Sequence, residues 1–522
     1  MPVNYKEDRI RVENVVGEES FQKTIEGELK ISEERPEIGT FLQLRGDIRS
    51  IEASIVDEGV EVRGRAELYL LYAGFREEEE GSLLTFEHEE MDFNDYVPFS
   101  EACPGMEVML EADISDVTSA LKGDRSVSYL VTISMVIRVV EKSQLGFIDR
   151  IEGLEREAEL QTQRVSIEEL VEERAETIRI QEEVDLTEEG MQELLYHEAR
   201  LIRLDEELIK DELELRGVIG LNLIYLSPDG PRNMTRMLEF RELLQIDNHT
   251  EEVSISNLIE IRETEVSSRG PGRIMISLLL EGYIRLIEVR EVELITDLES
   301  KKVDTQREIK SFDLLLDDKR EENWVEHTLN LPQEYLDLSQ ILHFRAVLKK
   351  CMTEASDGGA LITGQIEASI LYLGEAREQF MSDMIIESFV FESLIPLSQT
   401  EDEMVLDTRI QIRNLDYEVL NARTLKLKVQ LDQSIRALKH MELEVVSDLV
   451  VTSPLMEEED LPSIVLYVVQ PGDNLWKIAR RFGAREEDIL RANKDLLAQP
   501  EDLRTGDKLT IRRDAIGKRE EE

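Results

Sequence analysis

The feature that most limits how this chain folds is one strand pattern that occurs three times. The segments VEVRGRAELYLLY, ELELRGVIGLNLIY and GALITGQIEASILY align on Gly64, Gly217 and Gly364, which are 153 and 147 residues apart. A tyrosine follows eight residues after each glycine: Tyr72, Tyr225 and Tyr372. A repeat of this length is a whole domain, so the sequence predicts three copies of one domain in tandem.

Apolar and polar residues alternate through each segment, as expected for a strand with one buried face. Besides the glycine and the tyrosine, the predicted inward-facing residues are Val60, Val62, Ala66, Leu68 and Leu70; Leu213, Leu215, Ile219, Leu221 and Leu223; and Ala360, Ile362, Ile366, Ala368 and Ile370. Further strands are predicted at 127–140, 274–287 and 425–437, and an earlier pair of strands at 10–19 and 21–31, with a similar pair at 165–173 and 175–186. Each copy is therefore predicted to be an antiparallel β-sandwich.

The repeated glycine and tyrosine allow two interpretations. They could form a site that is used three times, or they could be structural. Glycine within a strand marks a bulge or a close approach of another group, and a tyrosine at a strand end buries its ring while its hydroxyl finds a polar partner. We favour the structural interpretation.

The predicted fold is mainly β, with three tandem sandwich-like domains followed by a small β-α-α-β module. A Pro-containing acidic segment, TSPLMEEEDLPS, precedes the module and predicts a linker. The expected limits are 1–145, 160–290 and 305–445 for the three β-domains, 446–464 for the linker, 465–513 for the module and 514–522 for a charged tail.

Charge and composition exclude several kinds of partner. The formal net charge is −53, because 114 Asp and Glu residues outnumber 61 Lys and Arg residues. Such a surface repels the phosphates of nucleic acids and of anionic lipids, so neither is expected as a partner. The two cysteines make no disulfide framework, the N-terminus lacks a secretion signal, and the longest apolar stretch is too short to span a membrane. These features predict a cytoplasmic protein without membrane insertion.

The C-terminal module differs in charge, since residues 467–511 hold eight acidic and eight basic residues. Asp473 or Asn474 is predicted to cap a first helix, a second helix is predicted to end at Asn493, and Leu509 and Ile511 belong to a closing strand. The first helix has one apolar face, formed by Leu475, Ile478, Ala479 and Phe482.

This order and spacing resemble the LysM domain, with matches at Tyr467, Val469, Gly472, Asp473, Leu475, Ile478, Ala479, Asn493, Leu503, Gly506, Leu509 and Ile511. Arg485 departs from the pattern, since the family often has Ser or Thr there to cap the second helix. The resemblance implies a shallow groove for N-acetylglucosamine polymers between two loops, with Gly472, Asp473, Asn474, Leu475, Trp476, Asn493, Leu496 and Leu503 as binding residues. The alternative is that most of these residues only hold the fold, Leu475 above all.

The first copy contains IEGELKISEERPEIGTFLQLRGDI, with a P-x-I-G segment at 36–39, and then VRGRAELYLLY. These segments, placed ahead of a LysM module, are similar to the SipL-type spore coat morphogenetic proteins with their SPOCS domains. The resemblance implies a scaffold in the mother-cell cytoplasm, at the forespore surface and in the spore coat. Its implied partners are other coat proteins and, through the LysM domain, the coat basement-layer ATPase SpoIVA.

A catalytic reading finds little support in the sequence. The six histidines are scattered, no zinc-binding helix motif or phosphate loop occurs, and RGPGR at 269–273 is predicted to be a hairpin turn. We therefore expect no enzyme, no metal and no cofactor. Two alternatives stay open: a peptidoglycan- or cortex-binding LysM protein, and a hydrolase with its catalytic domain in the β-region.

Overall fold

The structure is a computed structural model. It describes residues 4–512 apart from 76–81, 153–157, 247–252, 301–302, 377–378, 402, 452–463, 471–472, 483, 495, 498 and 500–501. The predicted fold class is confirmed, because nearly all of the described chain is antiparallel β-structure and two short helices occur in the C-terminal module.

Each copy consists of two sheets that enclose one apolar core. The strands of the first copy are β1 (Asn4–Lys30), β2 (Glu37–Val56), β3 (Gly59–Phe75), β4 (Ser82–Pro98), β5 (Glu107–Leu121) and β6 (Ser126–Glu152). They form two three-stranded sheets in the orders β1-β6-β5 and β2-β3-β4. Residues of β3 and β6 face each other across the core between these sheets, as in a sandwich.

The second and third copies repeat this arrangement, except that the sheets formed by their terminal strands are joined at Leu314 and Ile167 into one seven-stranded sheet. The second has β7 (Ala158–Asp185), β8 (Glu193–Ile209), β9 (Glu212–Ser227), β10 (Gly230–Gln245), β11 (Val253–Asn257), β12 (Glu260–Gly270) and β13 (Arg273–Ser300). The third has β14 (Val303–Asn330), β15 (Asp337–Ser356), β16 (Gly359–Ala376), β17 (Gln379–Pro396), β18 (Val405–Asn421) and β19 (Thr424–Val451). The segment RGPGR lies at the β12–β13 turn, as predicted.

The predicted inward-facing residues of β3, β9 and β16 are buried in all three copies. The glycines permit a close approach across the strands: a Cβ on Gly64, Gly217 or Gly364 would lie 2.2, 2.0 or 2.4 Å from the ring of a phenylalanine on the neighbouring strand. The hydroxyl of Tyr72 donates a 3.0 Å hydrogen bond to the carbonyl oxygen of Pro36. The structural interpretation of the repeated pair is therefore correct.

Substitution of Gly217 by alanine is expected to lower the free energy of unfolding by about 1 to 3 kcal/mol, because the added methyl group overlaps the Phe240 ring. Gly146→Ala is the matched control, since Gly146 also lies in a strand but has no atom within 4 Å of its Cβ position. Chemical denaturation measures both. Equal losses in the two variants would show that the ring contact is not the reason for the glycine.

The strands at the two ends of each copy are longer than predicted. The segments 10–19 and 21–31 were expected to be two strands, but both belong to β1, which continues through a bulge between Val15 and Gly17. The pair in the second copy is likewise a single strand, β7. β19 continues to Val451, so residues 446–451, expected in the linker, are paired with β14. The remaining linker residues 452–463 and the tail lie outside the described residues.

These extensions have a physical cause, because they bury apolar side chains against each other. The outer halves of β1, β6, β7, β13, β14 and β19 form a stem with two apolar cores of its own. Its buried residues come from all three copies and include Ile10, Phe147, Ile167, Leu294, Phe312 and Val445. The predicted domain limits of 145, 290 and 445 fall short of the last residues of the stem, since β6 runs to Glu152, β13 to Ser300 and β19 to Val451.

The three copies also meet around a common axis. Positions that the repeat makes equivalent contribute to one apolar cluster: Leu71, Ile224 and Leu371 are buried there, with Leu42 and Leu195 packed against it. Beside it, the equivalent residues Arg45, Glu198 and Arg345 form a buried charged cluster with His343 and Arg200. The chain is therefore arranged like a trimer whose three subunits are covalently joined.

Ion pairs link each copy to the next in a cycle. Arg138 of the first copy lies 3.2 Å from Asp407 of the third. The equivalent arginines continue the cycle: Arg285 of the second copy pairs with Glu13 of the first, and Arg436 of the third pairs with Glu168 of the second. The three arginines occupy equivalent positions, and so do Glu13 and Glu168 on the first strands of their copies, whereas Asp407 lies on β18. The cycle therefore links all three copies, with one acidic partner that departs from the repeat.

Candidate functional site: the LysM surface

The C-terminal module has the predicted β-α-α-β order. Its elements are β20 (Ile464–Val468), α1 (Leu475–Phe482), α2 (Glu486–Ala492) and β21 (Lys508–Arg512). The two strands pair antiparallel, with Tyr467 opposite Leu509. The core between strands and helices is formed by Val469, Leu475, Ile478, Ala479, Ile489, Leu497, Leu509 and Ile511.

The loop before α1 is fixed by two side chains with different roles. Asn474 caps the helix, since its Oδ1 accepts a 2.7 Å hydrogen bond from the backbone N–H of Lys477. Asp473 instead accepts hydrogen bonds from the Tyr467 hydroxyl at 2.5 Å and from the Gln470 N–H at 2.8 Å. Asp473 thus connects Tyr467 with Gln470, and Asn474 starts the helix.

The Tyr467–Asp473 hydrogen bond changes the acidity of both groups. It is the main reason why the pKa of the Asp473 carboxyl is lowered and the pKa of the Tyr467 hydroxyl is raised. The Arg481 guanidinium lies 5.6 Å from the Tyr467 ring centroid and also donates to its hydroxyl. At neutral pH the loop therefore carries an anionic Asp473 that is already engaged within the module.

Two residues predicted to line the groove do not offer their side chains to a partner. Leu475 is only 2% exposed and packs in the core. Asn493 is buried, and its amide group binds backbone on two sides: it donates to the carbonyl oxygens of Ile489 and Thr510 and accepts from the Thr510 N–H. Both side chains join the helices to β21, and the binding role of these two residues stays a prediction.

The other predicted site residues keep different degrees of exposure. Leu496 is 48% exposed, on the turn after α2, where its N–H donates to the Asn493 carbonyl oxygen. Trp476 is half-buried, and Leu503 is half-buried against the core. Gly472 lies outside the described residues. Leu496 and Trp476 are thus the apolar side chains of the predicted groove that a partner can reach most easily.

The second helix lacks a side-chain cap in the structure, as the departure at Arg485 suggests. Arg485 occupies the N-cap position of α2 with an extended backbone and makes no side-chain hydrogen bond to the helix. Glu486, Glu487 and Asp488 follow in the first turn, where their negative charge is favourable at a helix N-terminus. The acidic first turn compensates in part for the absent Ser or Thr.

Sequence reasoning missed the charged cluster on the axis. Its signal was available, because Arg45, Glu198 and Arg345 are equivalent in the repeat and an acid replaces a base in the second copy. The cavity beside it is small and is lined by side chains of all three copies. This lining favours a role in holding the three copies together over a role in ligand binding. Within the described ranges, no group of three or more His, Cys, Asp or Glu residues is arranged to hold a metal ion.

Comparisons with known proteins agree with the two domain types read from the sequence. The family model of the LysM domain matches residues 467–512, and the model described as SipL, SPOCS domain matches residues 37–122, within the first copy. No curated protein and no solved structure matches the chain. Among the described helices, none is long and apolar enough to cross a membrane.

The fold and the module surface place the chain in a class of protein: it is a multidomain β-protein whose matched domains are of binding or structural families. The two matches narrow this class. They confirm the resemblance to SipL-like spore coat morphogenetic proteins, and they support a sporulation-related LysM protein. The matched SPOCS segment lies in the first copy, and the second and third copies are connected to it by the internal repeat.

Proposed function

We propose that this chain is a non-enzymatic scaffold of spore coat assembly at the forespore surface. Its LysM module docks on the coat basement-layer ATPase SpoIVA, and its three-copy body presents surfaces to other coat proteins. The observation that carries the proposal is the combination of a SPOCS domain and a LysM domain in one chain.

The physical properties of the two parts support this division of labour. The module is neutral over 467–511, whereas the residues before it carry the whole charge excess of the chain. An acidic body keeps such a molecule dispersed and attracts basic partners, while the neutral module approaches an acidic or neutral surface without repulsion. The exposed Leu496 and the half-buried Trp476 offer apolar contact to a protein partner.

Binding of N-acetylglucosamine polymers is the second candidate, because that is the usual ligand of LysM domains. Purified SpoIVA and purified peptidoglycan, each presented separately to the full chain, distinguish the two candidates. Retention by peptidoglycan together with no binding to SpoIVA would reverse the order.

The full chain with Leu496→Glu is expected to bind immobilised SpoIVA about tenfold more weakly, since a charge replaces an apolar contact at the interface. Surface plasmon resonance measures the dissociation constant. Leu420→Glu is the matched control, because Leu420 on β18 is equally exposed at 50% but lies in the three-copy body. Unchanged affinity in the Leu496 variant would contradict docking through this surface.

A further inference from the structure

At two positions on its outer face, β17 of the third copy is apolar where the other two copies are charged or polar. Val390 is 80% exposed and Ile386 is 44% exposed. Because Gly64, Gly217 and Gly364 each pair with a phenylalanine on the next strand, the three strands can be aligned residue by residue. The counterparts of Val390 in the first and second copies are Asp92 and Glu239, and those of Ile386 are His88 and Thr235.

The apolar residues lie on a strand with an unpaired edge. β17 is the outermost strand of the sheet β15-β16-β17, so the backbone groups along one of its sides have no strand partner in that sheet. Leu394, on the same face as Val390, is 53% exposed. An exposed apolar edge strand is a template for another strand.

The sequence of this edge suits pairing with itself. Around Val390 it reads IIESFVFESLI, in which the central Phe-Val-Phe and the apolar ends are symmetric about Val390, and each Glu stands opposite a Ser. If two copies of the strand pair antiparallel with Val390 opposite Val390, Ile386 lies opposite Leu394 and Ser388 lies opposite Glu392. No acid then faces an acid, and apolar side chains pair across the strands.

The equivalent strands of the other two copies exclude the same pairing. In the same register, β4 would place Asp92 opposite Asp92, and β10 would place Glu239 opposite Glu239. Like charges that face each other across strands are destabilising, and charged residues are a common protection of edge strands. The third copy alone lacks this protection at its central position.

We propose that the β17 edge, residues 386–394, is a self-association surface that joins two copies of this chain through an antiparallel, twofold-symmetric strand pair. A twofold axis through Val390 makes the contact isologous, so it closes at a dimer. Nine residues at about 3.4 Å per residue give a shared ladder of about 30 Å. The surface is separate from the LysM module, which stays available in both chains.

The net charge of −53 gives this dimer a distinctive salt dependence. Two such chains repel each other at long range, and salt screens that repulsion without weakening apolar strand pairing. Association through β17 is therefore expected to strengthen as ionic strength rises. Association with a basic partner would weaken under the same change.

A cysteine at the symmetry centre tests the geometry directly. In a full chain that carries Cys103→Ser and Cys351→Ser, both exposed positions, Val390→Cys places two thiols opposite each other across the axis. Mild oxidation is expected to convert most of this variant into a disulfide-linked dimer on a non-reducing gel. Glu239→Cys in the same background is the matched control and is expected to remain mostly monomeric.

Sedimentation velocity on the unmodified chain supplies the second test. The dissociation constant is expected to fall at least about threefold between about 50 and 500 mM NaCl, where the screening length shortens severalfold. Val390→Glu, which introduces the residue of the second copy, is expected to weaken the dimer at least tenfold while the melting temperature is retained. A monomer at high salt, equal crosslinking of the Glu239→Cys variant, or a dimer that Val390→Glu does not weaken would overturn the proposal.

Discussion

Replacement of Glu198 by glutamine is expected to destabilise the three-copy body by about 3 to 5 kcal/mol, because it removes a negative charge from a largely buried cluster of cations and leaves Asp47 to face Arg45 and Arg345. The Glu198 carboxylate lies 2.6 Å from Nε2 of His343 and 3.3 Å from the Arg345 guanidinium. Arg200 and Arg45 lie 3.8 and 3.9 Å away. Urea denaturation at pH 7 measures the change in the free energy of unfolding.

The expected loss depends on pH in a definite direction. Burial by itself would raise the pKa of Glu198, but His343 and the neighbouring arginines hold that pKa well below its usual value. A carboxyl whose pKa is lower in the folded than in the unfolded state stabilises fully above the unfolded pKa and loses this contribution as the pH falls through the folded pKa. The difference between wild type and Glu198→Gln should therefore be constant between pH 6 and 8, as far as this carboxyl is concerned, and shrink in acid.

Glu207→Gln is the matched control for this experiment. Glu207 lies on the same strand, β8, and pairs with Arg216, but its side chain is 53% exposed. An exposed ion pair contributes little, so we expect a change within about 0.5 kcal/mol. If both variants lost the same small amount of unfolding free energy, the charged cluster on the axis would not be what holds the three copies together.

Replacement of Leu475 by alanine is expected to unfold the LysM module while the β-body stays folded. Leu475 is 2% exposed in a core of about eight buried residues, and a cavity there costs about 2 to 5 kcal/mol. That is a large share of the stability of a module this small. Differential scanning calorimetry of the full chain should show loss of the module's transition and an unchanged transition of the body.

Leu496→Ala is the control with the same chemical change at a surface position. Leu496 is 48% exposed, so its truncation leaves no cavity and should hardly alter the module's transition. If both leucine variants melted together with the body in one transition, the module would not be an independent folding unit.

Much of the fold could be predicted because it follows from local patterns. Alternation of apolar residues located β3, β9 and β16, and the spacing of Gly64 and Tyr72 identified the repeat. The length of β1 could not be predicted, because residues 4–14 read as polar apart from Tyr5, Ile10 and Val12 and are ordered by packing against the other copies. The common axis depends on contacts between residues more than a hundred positions apart, which periodicity does not report.

The exposure of the candidate site residues could not be predicted from the sequence, for a related reason. The spacing of Leu475 and Ile478 fixes the helix, but it does not show which matching residues face outward. Asn493 is predicted as a binding residue because it begins the loop that lines the groove in LysM domains. Here its amide group is the link between α2 and β21, which becomes evident only when both ends are seen together.

The stem has a mechanical consequence for anything attached through the LysM module. Strand β19, which precedes the module in the chain, ends at Val451 and is paired with β14 from Thr424 to that residue. Hydrogen bonds of an antiparallel ladder run across the strands, so tension along β19 shears many of them at once instead of peeling them one by one. A load on the anchor is thus spread over the whole strand before the body yields.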